Sequence, residues 1–230
     1  MWFNILKLDL SQLTTQIQGD ADADSINIQR DDKCKKKLLK VIEIMKDIDR
    51  KARKALPNIL EEVSKESEYK NKDGETIEFM IADIVGEDTI VAKNSRYRFG
   101  FSVRSELEDF NKFEEIDEMH ACQLLEALKV ALVDLENNVS KREKVKNSEG
   151  REIGRVEYEF LRKRNSYVRN RLAIYDTTRY FNVVSITHGG GGFPSSYETF
   201  EGYRDFEEKM ITRLFLRVYL DGFKSIRRML

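Results

Sequence analysis

Proline, cysteine and histidine each occur only twice in these 230 residues. Two prolines exclude a Pro-rich linker and suit long helices. Two cysteines, Cys34 and Cys122, are too few for a disulfide scaffold in a chain of this length, and read as two unpaired structural thiols. Scattered with His120 and His188, they offer no zinc-ligand spacing, and no metal or other cofactor is expected. An excess of one charge is also missing. Forty Lys/Arg against 41 Asp/Glu leave a net charge of −1, so any nucleic-acid binding has to come from a local patch. Long apolar runs are absent as well. The longest uncharged stretch, Tyr180–Tyr197, holds four glycines with Asn, Ser, Thr and His, and cannot cross a bilayer. The opening residues lack the basic region and cleavage site of a signal peptide, so the expected location is the cytoplasm or a virion, with no membrane partner.

What is present is enough for a real core: 40% hydrophobic residues, with 13 Phe and 9 Tyr. Residues 1–17 read as an apolar N-terminal arm carrying Trp2, Phe3, Ile5 and Leu6, and residues 18–32 as an acidic linker. Residues 33–230 then read as one domain, with 147–151 as the place for any subdivision. Leu38, Val41, Ile42, Met45, Ile48, Ala52, Ala55, Leu56, Ile59, Leu60 and Val63 recur at three- and four-residue steps, one face of a long helix. Pro57 inside that pattern predicts a kink or a break. Ile77–Val85 and Thr89–Ala92 around Gly86-Glu87-Asp88 predict a hairpin, and Tyr97, Phe99, Phe101 and Val103 alternate as a strand with a basic outer face. A second helix is expected over Ile116–Lys146, more strands over 156–187, and a last helix near Tyr203–Met229. Blocks of helix followed by adjacent strands define an α+β fold, long helices on antiparallel hairpins.

Two motifs invite a chemical reading. His188-Gly189-Gly190-Gly191-Gly192-Phe193 resembles the His-Gly-Gly-Gly oxyanion segment of lipases and esterases, whose backbone N–H groups hold a tetrahedral intermediate. That resemblance implies an esterase-like hydrolase, but no Gly-x-Ser-x-Gly elbow occurs and no histidine follows the segment. A flexible loop after a strand is the plainer expectation. Asp20, Asp22, Asp24 and Asp31 stand at positions 1, 3, 5 and 12 of a calcium-type loop, yet Ser25 occupies the position where the turn wants Gly. A solvated acidic linker fits them better. No catalytic residue and no small-molecule substrate emerge.

Charge is segregated. Residues 141–179 hold 12 Lys/Arg against 6 Asp/Glu, with Arg151, Arg155, Arg162, Lys163, Arg164, Arg169 and Arg171 forming a basic patch among tyrosines. Residues 106–118 hold seven acids, Glu106, Glu108, Asp109, Glu114, Glu115, Asp117 and Glu118, against Lys112 alone. Such patches suit a protein interface, single-stranded nucleic acid, or an ordinary solvated surface.

The opening Trp2-Phe3-Asn4-Ile5-Leu6-Lys7 resembles the start of small proteins of tailed phages and environmental viruses. The resemblance spans six residues and implies a virion component, of the size of connector, neck or tail-completion proteins. Together with the apolar arm and the opposed patches, it points to a non-enzymatic assembly protein with a protein partner, in a homo- or hetero-oligomer. A nucleic-acid-binding accessory protein using the basic segment is the alternative.

Overall fold

A computed structural model describes residues 32–84, 87–95, 97–104, 116–137, 139–164, 167–178, 181–190 and 200–230. Residues 32–230 make up one compact unit, separate from 1–31, and the elements below belong to it. The arm Trp2–Leu6 and the carboxylates Asp20, Asp22, Asp24 and Asp31 lie outside the described residues.

Helix α1 (Lys33–Glu66) follows from the apolar stripe: Leu38, Val41, Ile42, Met45, Ile48, Ala52, Leu56, Ile59, Leu60 and Val63 are all buried. It runs unbroken through Pro57, contrary to the expected break. The lost hydrogen bond is offset because Leu56, Ile59, Leu60 and Val63 anchor both sides of the proline in the core while its ring faces solvent.

Seven antiparallel strands form one sheet: β1 (Phe79–Ile84), β2 (Glu87–Ala92), β3 (Arg98–Arg104), β4 (Lys141–Lys146), β5 (Glu152–Arg164), β6 (Tyr167–Asp176) and β7 (Phe181–Gly190). Their order is β1-β2-β3-β7-β6-β5-β4. The β1–β2 hairpin closes on Ile84 opposite Glu87. Residues 147–150 form the tight turn of the β4–β5 hairpin, with Asn147 Oδ1 accepting from the backbone N–H of Glu149 and Arg151 and Gly150 at φ 78°.

Helix α2 covers Glu118–Ala131 and is followed by a single 3₁₀ turn at Leu135–Asn137. It is therefore shorter than the helix expected over 116–146, whose last six residues are strand β4. Leu132, Leu135 and Val139 continue a helical step. Lys141–Lys146 instead alternate, and only Val145 among them is buried. The C-terminal helix has three parts, α3 (Tyr203–Leu214), a π turn (Phe215–Tyr219) and α4 (Leu220–Met229).

The described helices pack on one face of the sheet. Ile90, Phe99, Val156, Tyr158, Leu172, Ile174, Val184 and Ile186 point into that layer and are buried. Tyr158 meets Phe223 of α4 edge-on, and Phe160 meets Phe215. Gly222 lies so close to α1 that a Cβ there would come within 2.4 Å of Ile48. The cysteines are not the unpaired thiols expected. Cys34 and Cys122 form a disulfide between the N-terminal ends of α1 and α2, with Cα atoms 5.0 Å apart. A separation of 88 residues gave no local sign of that pairing.

Candidate functional site

The segment expected as a loop is strand: His188, Gly189 and Gly190 complete β7, opposite Asn170 and Arg169 on β6 and Phe101, Gly100 and Phe99 on β3. Gly191 and Gly192 lie outside the described residues. A strand flanked on both sides commits its backbone N–H groups to the sheet, whereas an oxyanion hole needs them turned to a cavity.

His188 itself is buried at 1% exposure, facing α1 and the π turn. Its Nε2 lies 3.3 Å from Asp49 Oδ1, and its Nδ1 meets the Tyr219 hydroxyl. Asp49 also accepts from Arg53 Nε at 2.8 Å, and Arg53 reaches Asp88 at 3.4 Å. Burial pushes the His188 imidazole below its ordinary range, with Asp49 opposing, so the ring is neutral. Burial alone would raise the Asp49 carboxyl, but the bonds from His188 and Arg53 hold it low. Burial drives the Tyr219 phenol well above its usual value, and nearby Asp49 adds to this. A neutral ring that donates from Nε2 to Asp49 and accepts at Nδ1 from Tyr219 satisfies all three groups. The acid–imidazole–hydroxyl series looks like a catalytic relay, yet both ring nitrogens are occupied and Tyr219 is 1% exposed. It is a buried polar cluster joining α1, β7 and the C-terminal helix.

His120 is equally internal. It sits on α2 over Gly154, with Nδ1 4.0 Å from Asp176 Oδ2, while Asp176 Oδ1 accepts from the Thr178 N–H at 2.8 Å. The two acids of the 106–118 patch that are described are helix caps. Asp117 Oδ1 accepts from the His120 N–H at 2.7 Å, and Glu118 accepts from the N–H groups of Cys34 and Lys35 at 2.5 and 3.1 Å. Glu106, Glu108, Asp109, Glu114 and Glu115 lie outside the described residues. Glu118 and the two sulfurs sit within 4.8 Å of one another, but bonded sulfurs are not thiolate ligands and the carboxylate is spent on the cap.

The basic segment forms β4, β5 and β6. Arg155, Arg169 and Arg171 share the sheet face away from the helices, Arg151 ends the β4–β5 turn, and the side chains of Arg162, Lys163 and Arg164 are outside the described set. Three arginines of that face are paired with acids. Glu157 lies 3.0 Å from Arg155 Nε and 3.1 Å from Arg142 Nε, and Arg169 Nε is 2.6 Å from Glu159. The Arg155 and Arg171 guanidinium carbons lie 4.7 and 5.4 Å from the centre of the Tyr175 ring. Burial and the neighbouring Arg169 lower the Arg171 pKa.

Sequence reasoning missed the contrast between the two sheet edges. Edge strand β4 reads Lys-Arg-Glu-Lys-Val-Lys, the charged guard that keeps an edge from pairing with another chain. Edge strand β1 reads Phe-Met-Ile-Ala-Asp-Ile, with no cation and with Met80 50% exposed. Beside its start lies an open groove of about 280 Å³ lined by Ser64–Tyr69, Thr76, Ile77 and Phe79. The signal was in the sequence as two strands of opposite composition, but which strands are edges is a long-range property.

The chain matches no family model, no curated protein and no solved structure. No helix among the described residues is long and apolar enough to cross a membrane.

Proposed function

We propose that this protein is a non-enzymatic assembly component that captures an extended apolar segment of a neighbouring subunit along β1. What carries the reading is an edge that no other described strand covers: a strand of five uncharged residues and Asp83, at the opposite side of the sheet from a lysine-rich edge. An added strand would gain main-chain hydrogen bonds there, and the adjoining groove would take side chains. The arm Trp2, Phe3, Ile5 and Leu6 of a second copy has the required apolar character. Its burial supplies several kcal/mol at about 25 cal/mol per Å², before ordering costs. The resemblance of the opening hexapeptide to phage proteins makes a virion the setting.

The test is mass in solution across a hundredfold range of concentration. The full chain is expected to form oligomers. Removing residues 2–17, or placing a charge on the edge with Met80→Lys, should shift the equilibrium to monomer by at least tenfold in dissociation constant. A full-length chain that stays monomeric throughout would sink the reading.

A further inference from the structure

We propose that the exposed face of α1 is a nucleic-acid-binding surface that grips the phosphate backbone without reading sequence. The proposal is independent of the strand-edge reading, since it uses a different element. Residues 33–54 hold ten Lys/Arg against three Asp/Glu, a net +7 in a chain whose total is −1. The rest of the molecule is therefore acidic, and this helix is its positive pole.

The charge is organised along one side. Lys36, Lys37, Lys40, Arg50, Lys51 and Lys54 are exposed and fall within a single side of the helix, opposite the buried Leu38, Val41, Ile42, Met45, Ile48 and Ala52. From Lys36 to Lys54 the row is about 27 Å long, at about 1.5 Å per residue. Asp47 pairs with Arg50 and Lys51. Lys36, Lys37, Lys40 and Lys54 have no ion-pair partner among the described residues.

Folding does not ask for this arrangement. The first turn of α1 contains no acidic residue, and lysines there oppose the positive end of the helix dipole. A cationic row in which Lys36, Lys37, Lys40 and Lys54 have no ion-pair partner among the described residues fits an external polyanion. A lipid surface fits less well, because membrane-binding helices need an apolar face and that of α1 is buried in its own core. An evenly charged polymer such as nucleic acid matches a straight row of this length. With no aromatic side chain in the row, binding is by phosphate contact alone and hence insensitive to base sequence.

The experiment is fluorescence anisotropy of the full-length protein with a labelled 30-base-pair DNA duplex and a 30-nucleotide strand, between 50 and 200 mM salt. Neutralising about five phosphates predicts a loss of affinity of roughly 100- to 1,000-fold over that range. Lys36→Glu/Lys37→Glu/Lys40→Glu should weaken binding at 50 mM salt at least 30-fold and cut the salt slope by about 2 to 3. The same variant should melt close to the parent, because its three side chains are exposed and surface substitutions away from packed features change stability little, which separates lost binding from lost folding. Arg142→Gln/Lys144→Gln, on the guarded sheet edge, should retain affinity within about threefold, as each removes a neutralised cation. No binding to either probe at 50 mM salt overturns the proposal. So does an unchanged affinity in the α1 variant, a greater loss in the sheet-edge variant, or displacement of DNA by polyglutamate of equal charge as effectively as by unlabelled DNA.

Discussion

The sheet's outer face and the exposed side of α1 are both rich in cations, and they treat them in opposite ways. On the sheet, Arg142 and Arg155 share Glu157, Arg169 is held by Glu159, and Arg155 and Arg171 lie against Tyr175. On α1, Lys36, Lys37, Lys40 and Lys54 project into solvent without an ion pair among the described residues. Counting charge in a sequence window therefore misjudges where the field is. Residues 141–179 carry a formal excess of six cations, yet Arg142, Arg155 and Arg169 among them are held against Glu157 and Glu159, whereas Lys36, Lys37, Lys40 and Lys54 of α1 have no ion-pair partner among the described residues.

The comparison breaks most visibly if a sheet partner is removed. Glu159 is 3% exposed, and Glu159→Ala strips the carboxylate from Arg169, which is itself largely covered. A loss of about 3 kcal/mol in chemical denaturation is expected, since a largely covered guanidinium loses a carboxylate held against it. A loss under about 0.5 kcal/mol would mean that the sheet pairs are as dispensable as surface ones. Smaller and pH-dependent is the effect of the buried imidazole. Its folded pKa lies below the ordinary 6.5, so the unfolded chain binds the proton more tightly. Stability is full above about pH 6.5 and declines as pH falls toward the folded value, by up to about 1.4 kcal/mol per pH unit. His188→Gln should flatten that slope between pH 7 and 5, and a slope that persists would assign it elsewhere. The smallest effect belongs to the ring between two arginines. Tyr175→Leu should cost about 1 kcal/mol by thermal melting, two partly exposed cation–π contacts exchanged for apolar burial.

Local features were the legible ones. The stripe from Leu38 to Val63 foretold the inner face of α1, with only Ala55 of the eleven positions half-buried rather than buried. The β1–β2 hairpin and strand β3 were also readable, although Glu87 and Asp88, expected in the turn, belong to β2. The extent of α2 was not, because Leu132, Leu135 and Val139 keep a helical step past the point where the chain turns into β4. Nor could periodicity show that α1 carries on through Pro57, since core packing on both sides decides that. The candidate chemistry at His188 depended most on three dimensions. Asp49 and Tyr219 lie far from it along the chain, and only their convergence turns a suggestive glycine run into a satisfied interior cluster.

The strand order carries a kinetic consequence. β1–β3 and β4–β7 are two successive up-and-down ribbons, each zipped by neighbours in sequence, and they are joined only where β3 meets β7. That seam sets Phe101 opposite His188, so closing it requires a long intervening chain to be gathered first. The sheet contact of longest sequence separation is therefore the one that carries the largest loop-closure cost in folding.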